Sequence, residues 1–353
     1  MTLQPVRAAV AGDNGRPFRM ASLELEAPRP EEVLVRLVAC GICHTDVGMT
    51  AGCAAPTVFG HEGAGIVEQV GANVSRLAPG DPVVLSFDSC GNCSACRAGM
   101  PAACDHFMAA NFSCARLDGS NALSDGVNGH FFGQSSFATY ALASTRNAIR
   151  VDRDLPLDVL APLGCGLQTG AGTVVHSLSI GEDKSLVITG AGAVGLGALM
   201  AAKRVGARPL IVVEPVEERR ELALALGADY ALTPENALEG GIAERLADGA
   251  SFLIDTAGDS AVFQAIPDWL TDDGQVAYLT GAEGGGLKPS QSGRSVIQGD
   301  ADPQQFIPQM IEWYRAGEFP VDRLVTRYAF EDIDRAYADA AASRVIKAVL
   351  VMG

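Results

Sequence analysis

Cations are scarce in this chain: 26 Lys and Arg stand against 42 Asp and Glu, and the formal charge of −16 repels a phosphate backbone or an anionic membrane. That argues against nucleic acid and against a membrane as partners. The N-terminal stretch Met1-Thr2-Leu3-Gln4-Pro5-Val6-Arg7 lacks the charged-then-apolar layout of a secretory signal, so the expected location is the cytoplasm and disulfides are not expected. Membrane spans are missing too. The longest uncharged run, Ser185 to Ala202, is divided by Gly190, Gly192, Gly195 and Gly197 into strand, turn and helix. There is no internal repeat and no low-complexity tract. What remains is a globular chain of 353 residues, 48% apolar and 19% charged, long enough for two domains with a sizeable core.

Short β-branched runs in the first third, such as Val33-Leu34-Val35-Arg36-Leu37-Val38 and Pro82-Val83-Val84-Leu85, are separated by turn residues and predict a mainly β domain. From about residue 185 strand and helix alternate, which predicts a parallel sheet with crossover helices, an α/β unit. Its strands are read at 186–189, 210–213, 230–232, 252–255 and 275–279, with a helix over 193–204. A helix follows near 308–316, then a final strand over 346–350 that has no obvious partner in the parallel unit and is free to return to the first domain.

Strand 186–189 runs straight into Gly190-Ala191-Gly192-Ala193-Val194-Gly195, a G-x-G-x-x-G that opens a helix. Such glycines permit a tight turn, let backbone amides approach a pyrophosphate and seat the helix against the strand. Glu214 ends the second strand about 20 residues on, where a carboxylate can accept hydrogen bonds from an adenosine ribose. That pattern points to a dinucleotide, and the carboxylate favours NAD over NADP because it would repel a 2′-phosphate.

Nine cysteines without an export signal point to metal ligands or reactive thiols. Cys90, Cys93, Cys96 and Cys104, spaced C-x2-C-x2-C-x7-C, supply four thiolates, which close a tetrahedral zinc site and leave no open position. A second set is dispersed: Cys43, His61 and Cys165. Taken singly, Cys165 reads equally well as a small buried apolar residue and His61 as a satisfied loop histidine, and spacing alone does not join them. Together they have the composition of a catalytic zinc site with its fourth position open. Cys40, Cys53 and Cys114 read as packing residues, and His106, His130 and His176 receive no role.

The segments Cys43-His44-Thr45-Asp46, Gly60-His61-Glu62-Gly63-Ala64-Gly65, the four-cysteine loop, Gly164-Cys165-Gly166-Leu167-Gln168-Thr169-Gly170 and the Gly190–Gly195 loop, taken in order, resemble the zinc-dependent medium-chain alcohol dehydrogenases over essentially the whole chain. Around Leu85-Ser86-Phe87-Asp88-Ser89-Cys90 the chain is most similar to the aryl- and allylic-alcohol branch, of the benzyl alcohol and geraniol type. The resemblance implies a GroES-like catalytic domain over 1–167, a Rossmann doubly wound parallel sheet over 168–297 that binds NAD, and a segment 298–353 returning to the catalytic domain. It implies two zinc ions per subunit, the catalytic one held by Cys43, His61 and Cys165, with Glu62 behind the metal as a replacement ligand. Asp46 would orient the His61 ring, and Thr45 would bond the alcohol. His44, Arg219 and Lys347 would give cationic contacts to the cofactor, with Thr169 and Val194 beside the nicotinamide. Ser86, Phe87, Phe131 and Phe132 fall where the family lines its substrate cleft. The assembly implied is a homo-oligomer, dimer or tetramer.

The activity implied is reversible oxidation of a primary alcohol to an aldehyde by hydride transfer to NAD, zinc acting as a Lewis acid on the alcohol. One position departs from the pattern: Gly48 stands where many relatives end their proton relay with a histidine. The proton would then leave through His44, the cofactor ribose or water. A metal-free reductase would lack the seven zinc ligands, all of which are present. A nucleotide-binding zinc protein that senses redox state through its thiols, without alcohol turnover, is the alternative of a different class.

Overall fold

The structure is a computed structural model that describes residues 3–12, 17–53, 55–281 and 286–353. Its chain gathers into two units. One comprises the chain up to Cys165 with Asp302–Tyr314 and Pro320–Gly353; the other comprises Gly166–Ala301 with Arg315–Phe319.

The first unit opens with eight strands: β1 (Gln4–Ala11), β2 (Arg19–Leu25), β3 (Glu32–Gly41), β4 (Thr57–Val58), β5 (Glu62–Val70), β6 (Pro82–Leu85), β7 (Tyr140–Ser144) and β8 (Ala148–Arg150). Alternation drives their formation: in β2, Ala21, Leu23 and Leu25 are buried while Ser22 and Glu24 face solvent. β1 pairs antiparallel with β2 and β4, and β3 pairs antiparallel with β5 and β7. The core of this unit gathers Val10, Leu23, Phe59, Phe131, Phe137 and Leu350.

Register places the chemistry. Gly41 at the end of β3 stands opposite Glu62 at the start of β5, so the residues just beyond them, Cys43 and His61, emerge side by side. Ala64 of β5 stands opposite Val84 of β6, which brings Ser86 to the same end of the sheet.

The second unit holds β9 (Leu186–Thr189), β10 (Leu210–Val213), β11 (Tyr230–Leu232), β12 (Ala250–Asp255), β13 (Leu270–Tyr278) and β14 (Ser292–Ser295). All pair in parallel, in the spatial order β11-β10-β9-β12-β13-β14. This is the 3-2-1-4-5-6 order of a doubly wound dinucleotide fold. Every residue of β9 and β10 is buried, as expected of strands covered on both faces. The helix Ala193–Arg204 follows β9 directly. β14 was not foreseen: its four residues, Ser-Gly-Arg-Ser, are all exposed and give no hydrophobic pattern.

The chain then re-enters the first unit through the helix Pro303–Arg315, β15 (Val325–Ala329), the helix Ile333–Ala341 and β16 (Lys347–Val351). β16 lies between β15, parallel, and β3, antiparallel, with Val349 opposite Gly41. The final strand therefore completes the sheet that carries Cys43. Residues Arg315–Phe319 cluster with the parallel unit although they lie inside the C-terminal span. No helix among the described residues is long and apolar enough to cross a membrane.

Candidate active site and metal centres

Cys43, His61, Glu62 and Cys165 each direct one donor atom into a group within 4.8 Å of one another. His61 Nε2 lies 3.2 Å from Cys165 Sγ. In a tetrahedral zinc site, bonds of about 2.3 Å to sulfur and 2.0 Å to nitrogen separate such a pair by about 3.5 Å, so a small outward shift admits the ion. The donors fit zinc.

Asp46, fully buried, orders two of these ligands. Its Oδ2 accepts from the Cys43 N–H at 2.9 Å, and its Oδ1 accepts from the Gly60 N–H at 3.1 Å and lies 2.8 Å from His61 Nδ1. A carboxylate at Nδ1 leaves Nε2 as the metal-facing nitrogen. The His61 ring stacks on Phe132 at 4.3 Å between centroids and meets the edge of Phe131 at 5.5 Å.

Without metal this cluster holds protons. The Cys165 thiol beside it holds Cys43 well below the usual thiol range, against the effect of burial, while Cys165 is pushed well up by the same contact and by burial. Burial alone would lower His61, but the Asp46 charge and hydrogen bond outweigh it and raise the imidazole to about 10. A cation at the cluster would displace these protons.

Glu62 and Lys347 form a buried pair beside the ligands. Lys347 Nζ donates to Glu62 Oε1 at 2.8 Å and to the Ile42 carbonyl at 3.2 Å. Lys347, for which a cationic contact to the cofactor was expected, is enclosed, and its ammonium is paired with Glu62. Thr45 Oγ1 lies 3.8 Å from Cys43 Sγ, and His44 and Gly48 are exposed on the same helix, His44–Ala51. A Cβ at Gly48 would meet nothing within 4 Å.

Cys90, Cys93, Cys96 and Cys104 form the second donor group. Cys90 Sγ lies 3.9 Å from Cys96 Sγ, and Cys93 Sγ 4.0 Å from Cys104 Sγ, close to the edge of about 3.8 Å of a zinc–thiolate tetrahedron. Main-chain N–H groups of Cys93, Cys96, Cys90 and His106 donate to these sulfurs, which favours thiolates. Hydrogen bonds from the Cys96 and Asp105 amides lower Cys93 to about 6, whereas burial pushes Cys104 up to about 12.

In the parallel unit, Gly190 has φ +89°, and a Cβ at Gly195 would lie 1.9 Å from the Gly190 carbonyl oxygen, so both positions demand glycine. A Cβ at Gly192, which caps the helix Ala193–Arg204, would meet nothing: open space lies where a pyrophosphate would approach the helix N-terminus. The cradle fits a dinucleotide. Glu214 Oε2 accepts from the Ala191 N–H at 2.7 Å and Oε1 from the Val216 N–H at 3.0 Å, and each oxygen keeps a second lone pair. Val194 is in the first turn of that helix, Arg219 in the helix Glu217–Leu226, and Thr169 in the helix Gly166–Gly172; all three are partly buried.

The expected substrate-cleft residues are placed differently from one another. Phe87 is buried against Phe107, and Phe131 is buried among Phe59, Phe112 and His61. Phe132 reaches the metal-facing cluster through His61. The Ser86 hydroxyl donates to the Gly164 carbonyl at 2.6 Å. Sequence reasoning missed Gln134, a buried amide bonded to His61, Gly63 and Ser86; a lone Gln in a Gly- and Ser-rich loop carries no signal. A cavity of about 440 Å3 in the first unit holds none of the expected site residues; its Arg29, Arg116 and Arg146 pair with Asp118, Glu32 and Asp88.

A mainly β domain with a Cys2His donor set, and a doubly wound sheet with a glycine cradle, define a zinc-dependent dehydrogenase. Comparison with known proteins agrees. The alcohol dehydrogenase GroES-like domain matches residues 29–153 and the zinc-binding dehydrogenase domain residues 193–301. Geraniol dehydrogenase of Castellaniella defragrans is 44% identical, over 98% of this chain and 97% of that protein. The crystal structure of an alcohol dehydrogenase zinc-binding domain protein from Burkholderia ambifaria has a TM-score of 0.94 at 41% identity and covers 100% of both chains. Benzyl alcohol dehydrogenase from Acinetobacter calcoaceticus has a TM-score of 0.94 at 38% identity, over 99% of this chain and 100% of that one. The chain belongs to the zinc-dependent medium-chain alcohol dehydrogenase family. It is an alcohol oxidoreductase that acts on a small-molecule alcohol, and a redox sensor without turnover is not favoured.

Proposed function

We propose that the chain oxidises primary aryl and allylic or terpenoid alcohols reversibly to aldehydes, with NAD as hydride acceptor and with two zinc ions per subunit, one catalytic and one structural. The observation that carries the reading is the convergence of the Cys43, His61 and Cys165 donor atoms, with Asp46 ordering two of them. Zinc bound there supplies Lewis acidity to the substrate oxygen. Two thiolates and a neutral imidazole balance a divalent cation, and three protein ligands leave a position for substrate. Four thiolates in the other group leave none, so that group holds its loop together.

Thr45 takes up the alcohol proton, and His44, exposed on the same helix, passes it to water or the cofactor ribose in place of the side chain that Gly48 lacks. Glu62, held by Lys347, stands ready to replace a departing ligand. Amides at the start of the helix Ala193–Arg204 take the pyrophosphate, and the remaining lone pairs of Glu214 take the ribose hydroxyls. Thr169 and Val194 flank the nicotinamide, with Arg219 and His44 as cationic contacts. Thiolate-rich sites suit a reducing compartment, the cytoplasm. The exposed edge strand β14 suits a homo-oligomer, dimer or tetramer.

The substrate class rests on the geraniol and benzyl alcohol dehydrogenases among the relatives. Oxidising a benzylic or allylic carbon yields a conjugated carbonyl, and burying one ring is worth on the order of 2 kcal/mol at about 25 cal/mol per Å2. A kinetic panel with NAD is therefore expected to rank benzyl alcohol, cinnamyl alcohol and geraniol above ethanol in kcat/KM by about 30-fold. Ethanol or a secondary alcohol as best substrate would overturn the substrate class. Fewer than two zinc ions, counted by native mass spectrometry in fully active protein, would overturn the two-metal assignment.

A further inference from the structure

His61 and Cys165 are 104 residues apart in sequence, yet their donor atoms must hold one separation if they are to share an ion. Two buried side chains outside the ligand set tie their main chains together. Ser86, just beyond β6, is itself fixed by its N–H to the Asn147 carbonyl at 2.9 Å. Its hydroxyl donates to the carbonyl of Gly164, the residue before Cys165, at 2.6 Å. Its own carbonyl accepts from Gln134 Nε2 at 2.9 Å, and the same amide nitrogen donates to the His61 carbonyl at 2.9 Å. Gln134 Oε1 closes the set by accepting from the Gly63 N–H at 3.0 Å and the Ser136 hydroxyl at 2.7 Å.

The backbone makes room for this arrangement. A Cβ at Gly63 would lie 2.3 Å from Ser136 Oγ and 3.0 Å from Gln134 Oε1; one at Gly164 would lie 2.0 Å from the Leu85 carbonyl oxygen. Gly63 thus stands where Gln134 and its partner Ser136 press against one ligand segment, and Gly164 where the Leu85 carbonyl, one residue before Ser86, presses against the other. Ser86 and Gln134 are 0% and 2% exposed, so no water can stand in for a lost bond without opening the core.

We propose that Ser86 and Gln134 are positioning residues, a strap that sets the separation of the His61 and Cys165 donors and thereby the metal affinity of the catalytic site, without touching metal or substrate. The strap rests on the metal reading of that site given above. Groups that orient ligands in this way typically change metal affinity 10- to 100-fold when removed.

The test is cobalt titration of metal-depleted full-length protein with a competing chelator, read from the visible d–d bands. Wild type is expected to show two signatures, one from sulfur and nitrogen donors and one from four sulfurs. Ser86→Ala and Gln134→Met are expected to weaken cobalt 10- to 100-fold at the first site and shift its band, with the four-sulfur band unchanged. Ser86→Thr, which keeps the hydroxyl, is expected to restore both. Ser86→Ala, the milder change, keeps the test open should Gln134→Met not fold. Val33→Ala, in a separate core cluster, serves as the control for lowered Tm and is expected to leave the first band in place. Unaltered affinity and band in Ser86→Ala, or equal weakening in the Val33→Ala control, would overturn the strap while the wild-type signature stands. A wild type lacking the sulfur–nitrogen signature would overturn the metal reading together with it.

Discussion

Single buried polar groups do much of the work in this protein. Asp46 is the clearest case, because one carboxylate accepts from the main chain before the helix, from the loop before His61 and from the imidazole itself. His130 is the opposite case: its Nε2 is buried with no hydrogen-bond partner, and burial together with the nearby Arg116 charge lowers its pKa to about 4. The unfolded chain takes up that proton near pH 6.5, so the contribution of His130 is fully present above about 6.5 and is lost as pH falls toward 4. The expected loss is on the order of 2–3 kcal/mol at pH 4.5. His130→Asn, which tolerates the φ of +59° at this position, is expected to flatten that slope in urea unfolding at pH 7 and pH 4.5. An unchanged slope would mean that the imidazole titrates normally. Glu214 gives a second residue-level prediction. On the proposed role of Glu214, Glu214→Ser removes the charge that would face a 2′-phosphate, so the ratio of kcat/KM for NAD over NADP is expected to drop from roughly 100-fold to below about tenfold. A wild-type preference for NADP would overturn the role given to this residue.

At the scale of elements, the two donor groups differ in what surrounds them. The four-cysteine loop carries only a four-residue helix, Ser94–Arg97, and a short 3-10 turn, Pro101–Ala103, so its order depends on the thiolates. Cys93→Ser is expected to lower stability by on the order of 3 kcal/mol, about 5–10 °C in Tm. Cys43→Ala, two residues beyond the end of β3 and at the start of the helix His44–Ala51, is expected to abolish turnover while the chain stays folded and binds NAD. Calorimetry and a dinucleotide titration check both; the reverse pattern would exchange the two roles. The same contrast explains what was legible beforehand. β9, the helix Ala193–Arg204, β10 and the four-cysteine loop announce themselves through apolar runs, glycine spacing and thiol spacing, and the expected bounds of β9, β10 and β11 match the observed ones. β14 was illegible because exposed polar residues pair through backbone alone. β13 begins at Leu270, five residues before the strand read from sequence, because polar Thr271, Asp272 and Asp273 mask its start. Gln134 was illegible for a related reason: three of its four side-chain bonds are tertiary, and no periodicity marks them.

For the molecule as a whole, the discontinuous first unit has a measurable consequence. β16 lies inside the order β15-β16-β3, and Lys347 at its start neutralises Glu62 beside the metal ligands. Deleting residues 347–353 is expected to abolish metal binding at Cys43, His61 and Cys165 and to leave the first unit open to proteolysis, whereas the parallel unit still binds NAD in a thermal-shift assay. Retained catalytic metal in the shortened chain would show that β16 is dispensable.

That topology also sets an order of events in the newborn chain. Gly41 and its partner Val349 are joined only after the roughly 300 residues between them have been made, and at roughly 5–20 residues per second β3 waits roughly 15 to 60 s for the strand that pairs with it. The parallel unit is nearly contiguous and can close meanwhile. Competence to hold a nucleotide therefore precedes competence to hold the catalytic ion. The half-built sheet, with its thiols already out of the ribosome, is the state that a holding chaperone or an early zinc ion meets first.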